Sequence, residues 1–350
     1  MKHVITIGGI RPDWIRLSEV VKKLDQNFIH TMIHTGQHFD PKLSEIFFKD
    51  LNIHQPDYNF SIGNKSSDHI EQLAHLALKI KEHETLIKNA DIVLFLGDSN
   101  SVLAAPIIKK MGVKVGHIEA GMRCGDRKMF EEINRVTCDH VSDMLFCYHM
   151  NYINNLVREG IVINNLFNVG NTIVEVVTPH IPNEKKLNSH ILLDIHRQEN
   201  FLNKERLFNI ISLANLFAKK YNLPVEMLGF KRTLDKLEEF DIPLGVVTVV
   251  DQMGYYAYLQ KAYHSKLVIS DSGTAQEELA FLKTPVLVPR DFTERQESIT
   301  HCCSVMVDVS KNNYNIDYLI ESLDFLNFDT SWMGNGKTSE KIVQYIHKYD

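Results

Sequence analysis

"ADIVLFLGDSNSVLAAPIIKKMGVKVGHIEAG", residues 90–121, holds two short apolar runs on either side of a longer segment with helical spacing. Runs of this length suit strands better than helices, which need roughly 10–12 residues. Strand, helix and strand in that order call for a crossover connection. They therefore predict neighbouring parallel strands with helices packed on both faces. Both runs also end on glycine and a carboxylate, Asp98 after the first and Glu119 after the second.

The same alternation extends in both directions. Upstream are HVITIG, then WIRLSEVVKKL, and HTMIHTG, then PKLSEIFFKDL over 41–51. Downstream are MLFCY, then NYINNLVREG, and LFNVGN. After the polar stretch HIPNEKKLNS (180–189) it resumes with HILLDIH, a helix near 204–221, VEMLGF, GVVTVV, KLVISDSG and PVLVPR. The economical reading is α/β, with two similar halves joined near residues 169–190. A last segment, SEKIVQYIHKYD, has helical spacing at Ile342, Val343 and Ile346.

Composition narrows the function. At 350 residues the chain is long for one core, and 44% hydrophobic with 23% charged residues is ordinary for a globular protein. Its net charge of −6 argues against a general nucleic-acid or membrane-surface binder, which needs a positive field. No apolar run approaches the ~18–20 residues that cross a bilayer. The amino terminus lacks the apolar core and cleavage site of a secretory signal. Five cysteines, at 124, 138, 147, 302 and 303, are odd in number and include no C-x-x-C, which suits reduced thiols in a cytoplasm. G-x-G-x-x-G and G-x-x-x-x-G-K-[ST] are both absent, so neither NAD nor ATP is indicated.

In parallel sheets ligands bind beyond the carboxyl ends of the strands, so polar residues there are the first candidates. Arg11 follows the first strand; Asp98, Glu119, His196 and Arg197 follow others. Glu131 and Glu132 sit just before a helix, where the dipole alone favours carboxylates. In SDSGTAQEE, Ser272 and Gly273 lie at a strand-to-helix junction, where free N–H groups suit an anion. Glu277 and Glu278 would repel phosphate if they faced it, whereas a carboxylate turned aside can accept the hydroxyl protons of a ribose. Arginines near an anion site, with acid/base groups in both halves, describe an inter-domain cleft for a phosphate-bearing sugar donor.

The ordered motifs GGIRPDWIRL, HTGQHFD, GDSNSVLAA, GHIEAGMRCGD, EEINRVTCDHVSDMLF, GNTIVEVV, HRQEN, SDSGTAQEE and RDFTERQES resemble the non-hydrolysing UDP-N-acetylglucosamine 2-epimerases. The resemblance implies two Rossmann-like domains of the glycosyltransferase-B type. These are residues 1–170, with the helix at 335–350 packing back on them, and a UDP-binding domain at 171–334. It implies inversion of C2 in a UDP-2-acetamido sugar by elimination and re-addition of UDP, in a cytoplasmic homodimer that needs no cofactor or metal. Asp98, Glu119, Glu131 and His196 fall on the acid/base positions, and which is base and which acid stays open. Arg11, Ser272, Gly273 and Glu278 match diphosphate and ribose contacts, with Arg16, Arg135 and Arg295 as further substrate-binding positions.

Several positions depart from the common pattern. Ile10, Asp13 and Arg16 stand where many members have threonine, glutamate and lysine; Phe130 replaces a proline and Thr274 a glycine. GFKR (229–232) replaces the H-P-N stretch whose histidine helps bind an allosteric activator. These variants look more like the branch acting on UDP-2-acetamido-2,6-dideoxy-L-talose or UDP-diacetamido-uronic acids. A hydrolysing epimerase releasing N-acetylmannosamine and a glycosyltransferase of the same fold are the competing functions.

Overall fold

A computed structural model describes residues 1–37, 48–64 and 68–349. Residues 38–47 lie outside it, and with them the end of HTGQHFD and most of the helix expected over 41–51. The chain forms two compact units, Met1–Val176 together with Met333–Asp350, and Val177–Trp332.

Among the described residues, the first unit holds a seven-stranded sheet. Its strands are β1 (His3–Gly8), β2 (Ile29–His34), β3 (Tyr58–Asn59), β4 (Ile92–Leu96), β5 (Lys114–Ile118), β6 (Met144–Cys147) and β7 (Leu166–Asn168). Their spatial order is β3-β2-β1-β4-β5-β6-β7, and the neighbours pair in parallel. All five residues of β4 are buried, as expected of a strand covered on both faces. Ile5, Ile7, Val93, Phe95, Val115 and Ile108 form the core beside it.

The second unit repeats the plan with β8 (His190–Asp194), β9 (Val225–Leu228), β10 (Val247–Val250), β11 (Ser265–Ser270), β12 (Val286–Val288) and β13 (Val305–Met306). Here the order is β10-β9-β8-β11-β12-β13, again parallel. The helix expected near 204–221 is Lys204–Tyr221, capped by Asn203, and it buries Leu207, Ile210 and Phe217 against Ile191 and Leu193. The two parallel sheets with alternating helices bear out the α/β fold class.

The strand order reverses between β1 and β4 in the first unit and between β8 and β11 in the second. At such a point the chain leaves neighbouring strands in opposite directions and opens a crevice at their carboxyl ends. Two local details differ from the sequence reading. SVLAAPIIKKMG is not one helix but a tighter 3-10 turn, Asn100–Ala104, followed by the α-helix Ala105–Lys110. Pro106, in the first turn of the α-helix, has no N–H to continue a helix from before it. Glu131 and Glu132 lie inside the first turn of the helix Phe130–Val141 rather than ahead of it.

The last helix, Thr338–Lys348, belongs to the first unit. Its Thr338 hydroxyl donates to the Val169 carbonyl at 3.2 Å, and Lys2 donates to the Ile346 carbonyl at 2.9 Å. Ile342, Val343 and Ile346 form its buried stripe, and it packs on the helix Arg11–Asn27. Ile342→Ala should therefore cost about 2–5 kcal/mol in urea unfolding of the first unit. A loss below about 0.5 kcal/mol, the range for exposed positions, would mean that this stripe is not packed.

Candidate functional site

In the first unit the loops after β1, β4 and β5 bring a set of charged groups together. Asp13, in the first turn of the helix Arg11–Asn27, takes three donors on Oδ2: the Gly9 N–H at 2.8 Å, the Ile10 N–H at 3.2 Å and the Ser99 hydroxyl at 2.8 Å. Burial pushes its carboxyl up to about 7 against those hydrogen bonds, and the charge of Asp98 adds to the rise. Gly97 turns β4 outward at φ +73°, and a Cβ there would stand 3.8 Å from Asp13 Oδ1 and 3.9 Å from Glu119 Oε1. Two carboxylates thus flank one point of backbone, with Asp98 next in the chain.

Each sequence-predicted residue of this unit has a definite place. Arg16 is buried and donates from Nη1 to Glu119 Oε2. Glu119 is itself buried and sits at φ +74°, a left-handed conformation that a non-glycine residue holds only when its surroundings enforce it. Arg135 donates to Asp98 Oδ2 and, from Nη1, to Glu132 at 2.7 Å. Glu132 also accepts the Gly125 N–H at 2.9 Å, and Asn134 donates to the Asp98 carbonyl at 2.9 Å. Arg11 and Glu131 are half-buried, each at the start of its helix. Arg16 and Arg135, expected to bind substrate, are thus brought onto the two carboxylates expected to act on it.

A pair that sequence reasoning missed holds these loops. His117 on β5 is fully buried, with Nδ1 2.6 Å from Asp139 Oδ1 and Nε2 2.8 Å from the Gly97 carbonyl. Both partners only accept, so both ring nitrogens donate and the imidazole is charged. Burial opposes that charge, while Cys138 and Asp139 raise its pKa well above the ordinary value. Asp139 also takes the Gly121 N–H at 3.1 Å and Arg123 Nη1 at 2.7 Å. The available signal was the two-residue strand period, which puts His117 and Glu119 on one face of the strand's end.

The second unit has its own cluster at the β8/β11 reversal. His196 follows β8 with Nδ1 3.0 Å from Asp194 and 3.6 Å from Asp271. Burial lowers its pKa, but the two carboxylates outweigh that and raise it to about 9. Asp271 accepts the N–H groups of His196 and Arg197, both at 3.1 Å. Across the reversal, Ser272 caps the helix Gly273–Leu282. A Cβ on Gly273 would come within 2.5 Å of both Arg295 Nη1 and Glu294 Oε1, so only glycine lets these side chains reach the helix start. Arg295 pairs with Glu294 and stands 3.4 Å from buried Glu277. Glu278 accepts from the Tyr255 hydroxyl at 2.7 Å. The acidic pair of this helix is therefore engaged by Arg295 and Tyr255. The sequence reading also passed over Asp194 and Asp271, which end adjacent strands, and buried Arg290, 3.0 Å from Glu294.

The second unit can hold an anion at a helix start and keep a histidine charged, and each unit by itself positions carboxylates at strand ends. Among the described residues no helix is long and apolar enough to cross a membrane. The family profile described as UDP-N-acetylglucosamine 2-epimerase matches residues 22–347. The UDP-N-acetylglucosamine 2-epimerase of Methanocaldococcus jannaschii is 36% identical, over 97% of this chain and 97% of that protein. The UDP-2,3-diacetamido-2,3-dideoxy-D-glucuronate 2-epimerase of Pseudomonas aeruginosa is 33% identical, over 99% of each. The crystal structure of the M. jannaschii enzyme in complex with UDP-GlcNAc and UDP superposes with a TM-score of 0.87 at 34% identity, covering 99% of this chain and 100% of that one. The resemblance carried by the motifs is borne out: the chain belongs to the UDP-N-acetylglucosamine 2-epimerase family, a family of isomerases.

Proposed function

We propose that this chain inverts C2 of a UDP-2-acetamido sugar, with UDP-N-acetylglucosamine as the first substrate to test. A base removes the C2 proton, the electron pair forms the C1–C2 double bond, and the C1–oxygen bond breaks as UDP leaves. UDP then re-adds at C1 while C2 is protonated on its other face. No electrons are lost overall, so the steps call for acids, bases and a held leaving group rather than a redox cofactor.

The observation that carries this reading is the carboxylate group around Gly97, with Asp98 and Glu119 each beside a buried arginine. A neighbouring guanidinium favours the charged carboxylate, the form a base needs. In this reading Asp98, Glu119, Glu131 and His196 act on the sugar, while Arg16 and Arg135 hold the first two in place. Arg11, Ser272, Gly273, Glu278 and Arg295 serve the nucleotide. The helix start at Ser272 and Gly273 supports diphosphate binding through the positive end of the helix dipole. The diacetamido-uronate substrate is the second reading, favoured by the P. aeruginosa relative of nearly equal identity. A homodimer, a cytoplasmic location and a supply of activated sugar for polysaccharide synthesis complete the proposal. Size-exclusion light scattering tests the first of these.

Incubation with each UDP-sugar in D2O, followed by NMR at C2, decides between substrates and separates a UDP-sugar product from a free sugar. Asp98→Asn and Glu119→Gln should each lower kcat by ~10²-fold or more with UDP affinity kept. Near-normal turnover in both would remove them from the chemistry. Ser272→Ala should weaken UDP by about 1–3 kcal/mol, and an unchanged Kd would move the nucleotide elsewhere.

His196 gives a pH test. Its folded-state pKa of about 9 lies above its ordinary 6.5. Its contribution to stability is therefore complete below pH 6.5 and is lost as pH rises through about 9. NMR titration should find the His196 imidazole still charged at pH 8, and Asp194→Asn should lower its pKa. Titration of the wild-type ring between pH 6 and 7 would contradict the assignment.

A further inference from the structure

Away from these groups, the first unit carries a second cluster that the epimerisation chemistry does not use. Asp25 lies near the end of the helix Arg11–Asn27, His30 near the start of β2 and His54 in the segment before β3. This is the amino end of β2, whereas Asp98 and Glu119 follow the carboxyl ends of β4 and β5. We propose that Asp25, His30 and His54 form a binding site for a divalent transition metal of the zinc type.

The ligand atoms already converge: one from each residue, all within 4.8 Å of one another. His54 Nδ1 is 2.7 Å from the Gln55 carbonyl, which only accepts, so that nitrogen carries a hydrogen. In the neutral ring Nε2 then keeps its lone pair, and it stands 3.3 Å from Asp25 Oδ1. A cation held between the two atoms would bond to both. His30 offers Nδ1 to the same oxygen at 2.6 Å, while its Nε2 is 2.9 Å from the Thr6 hydroxyl. Each ring is thus oriented from behind by an oxygen, the usual support of a metal-bound imidazole.

Size and exposure also fit. Tetrahedral zinc with bonds of ~2.0–2.1 Å keeps its ligand atoms roughly 3.3 Å apart. The His54 to Asp25 spacing of 3.3 Å has that value, and the His30 to Asp25 spacing of 2.6 Å must open by less than 1 Å. The His30 side chain is 1% exposed and that of Asp25 is 36% exposed, so the carboxylate is the more accessible of the two. His54, at 38%, leaves the site open to water for the fourth position. Two imidazoles and one carboxylate select zinc, nickel or copper over magnesium and calcium, which prefer all-oxygen shells. A bound ion would clamp the end of the helix, β2 and the segment before β3 into one piece. That role is structural and leaves metal-free epimerisation intact.

Tag-free protein stripped with a chelator and titrated with zinc by calorimetry, and with cobalt by visible absorption, tests the site. We expect one equivalent per chain, tetrahedral cobalt bands and a higher thermal midpoint with zinc. His54→Ala and Asp25→Asn should each weaken zinc binding at least tenfold and abolish the midpoint shift with the epimerase rate kept, and His54→Ala should also keep the metal-free melting curve. Zinc affinity unchanged in His54→Ala would place the metal elsewhere. No binding by the wild type at millimolar zinc would reduce the cluster to a hydrogen-bonded helix-to-strand tie. Either result overturns the proposal. Neither bears on the epimerase reading, because metal binding is measured without substrate.

Discussion

The buried contact of His117 with Asp139 and the Gly97 carbonyl is the constraint on which the carboxylate site rests. It joins β5 to the turn that leaves β4, and Asp139 ties the same ring to Gly121 and Arg123 in the next loop. Charge inside a protein is costly unless paired and fully hydrogen-bonded, and here every partner of the ring is an acceptor. That network holds both sides of Glu119, which keeps a non-glycine residue at φ +74°. Removing one partner would leave the other charge buried and let the loop relax away from the geometry the carboxylates need.

The second unit solves the same problem with a different residue. Asp271, at the end of β11, gathers the N–H groups of His196 and Arg197 and the Asn200 amide at 3.0 Å. One aspartate thus fixes the whole turn after β8, and its neighbour Asp194 orients the His196 ring. Phe230 of the GFKR stretch lies against that ring with centroids 5.0 Å apart. The replacement noted in the sequence therefore reaches the histidine through its packing.

The alternation of strands and helices was legible because parallel strands buried on both faces leave continuous apolar runs. Asp98, Glu119, His196 and Ser272 stood out because glycines and polar residues interrupt those runs at strand ends. The supporting pairs were hidden. His117 and Asp139 are 22 residues apart and meet only where the helix Phe130–Val141 packs on β5, which no local pattern encodes. Arg16 and Arg135 stood as substrate-binding positions, and charge alone cannot reveal which anions a side chain meets. In the structure the anions beside them are Glu119 and Asp98. Glu277 and Glu278, which would repel a phosphate if they faced it, are buried beside Arg295 and Tyr255, so each carboxylate has a partner.

The return of Thr338–Lys348 to the first unit also has a meaning for synthesis on the ribosome. Val177–Trp332 is one uninterrupted stretch and has all its strands and helices before Thr338–Lys348 is made. The first unit begins first but stays incomplete until Thr338–Lys348 is made, because the apolar surface under Ile342 and Ile346 waits for its cover. Domains emerging during translation generally fold as units, so the order of completion here is the reverse of the order of appearance. During that interval the nascent chain carries an uncovered helix face, the kind of surface that chaperones recognise.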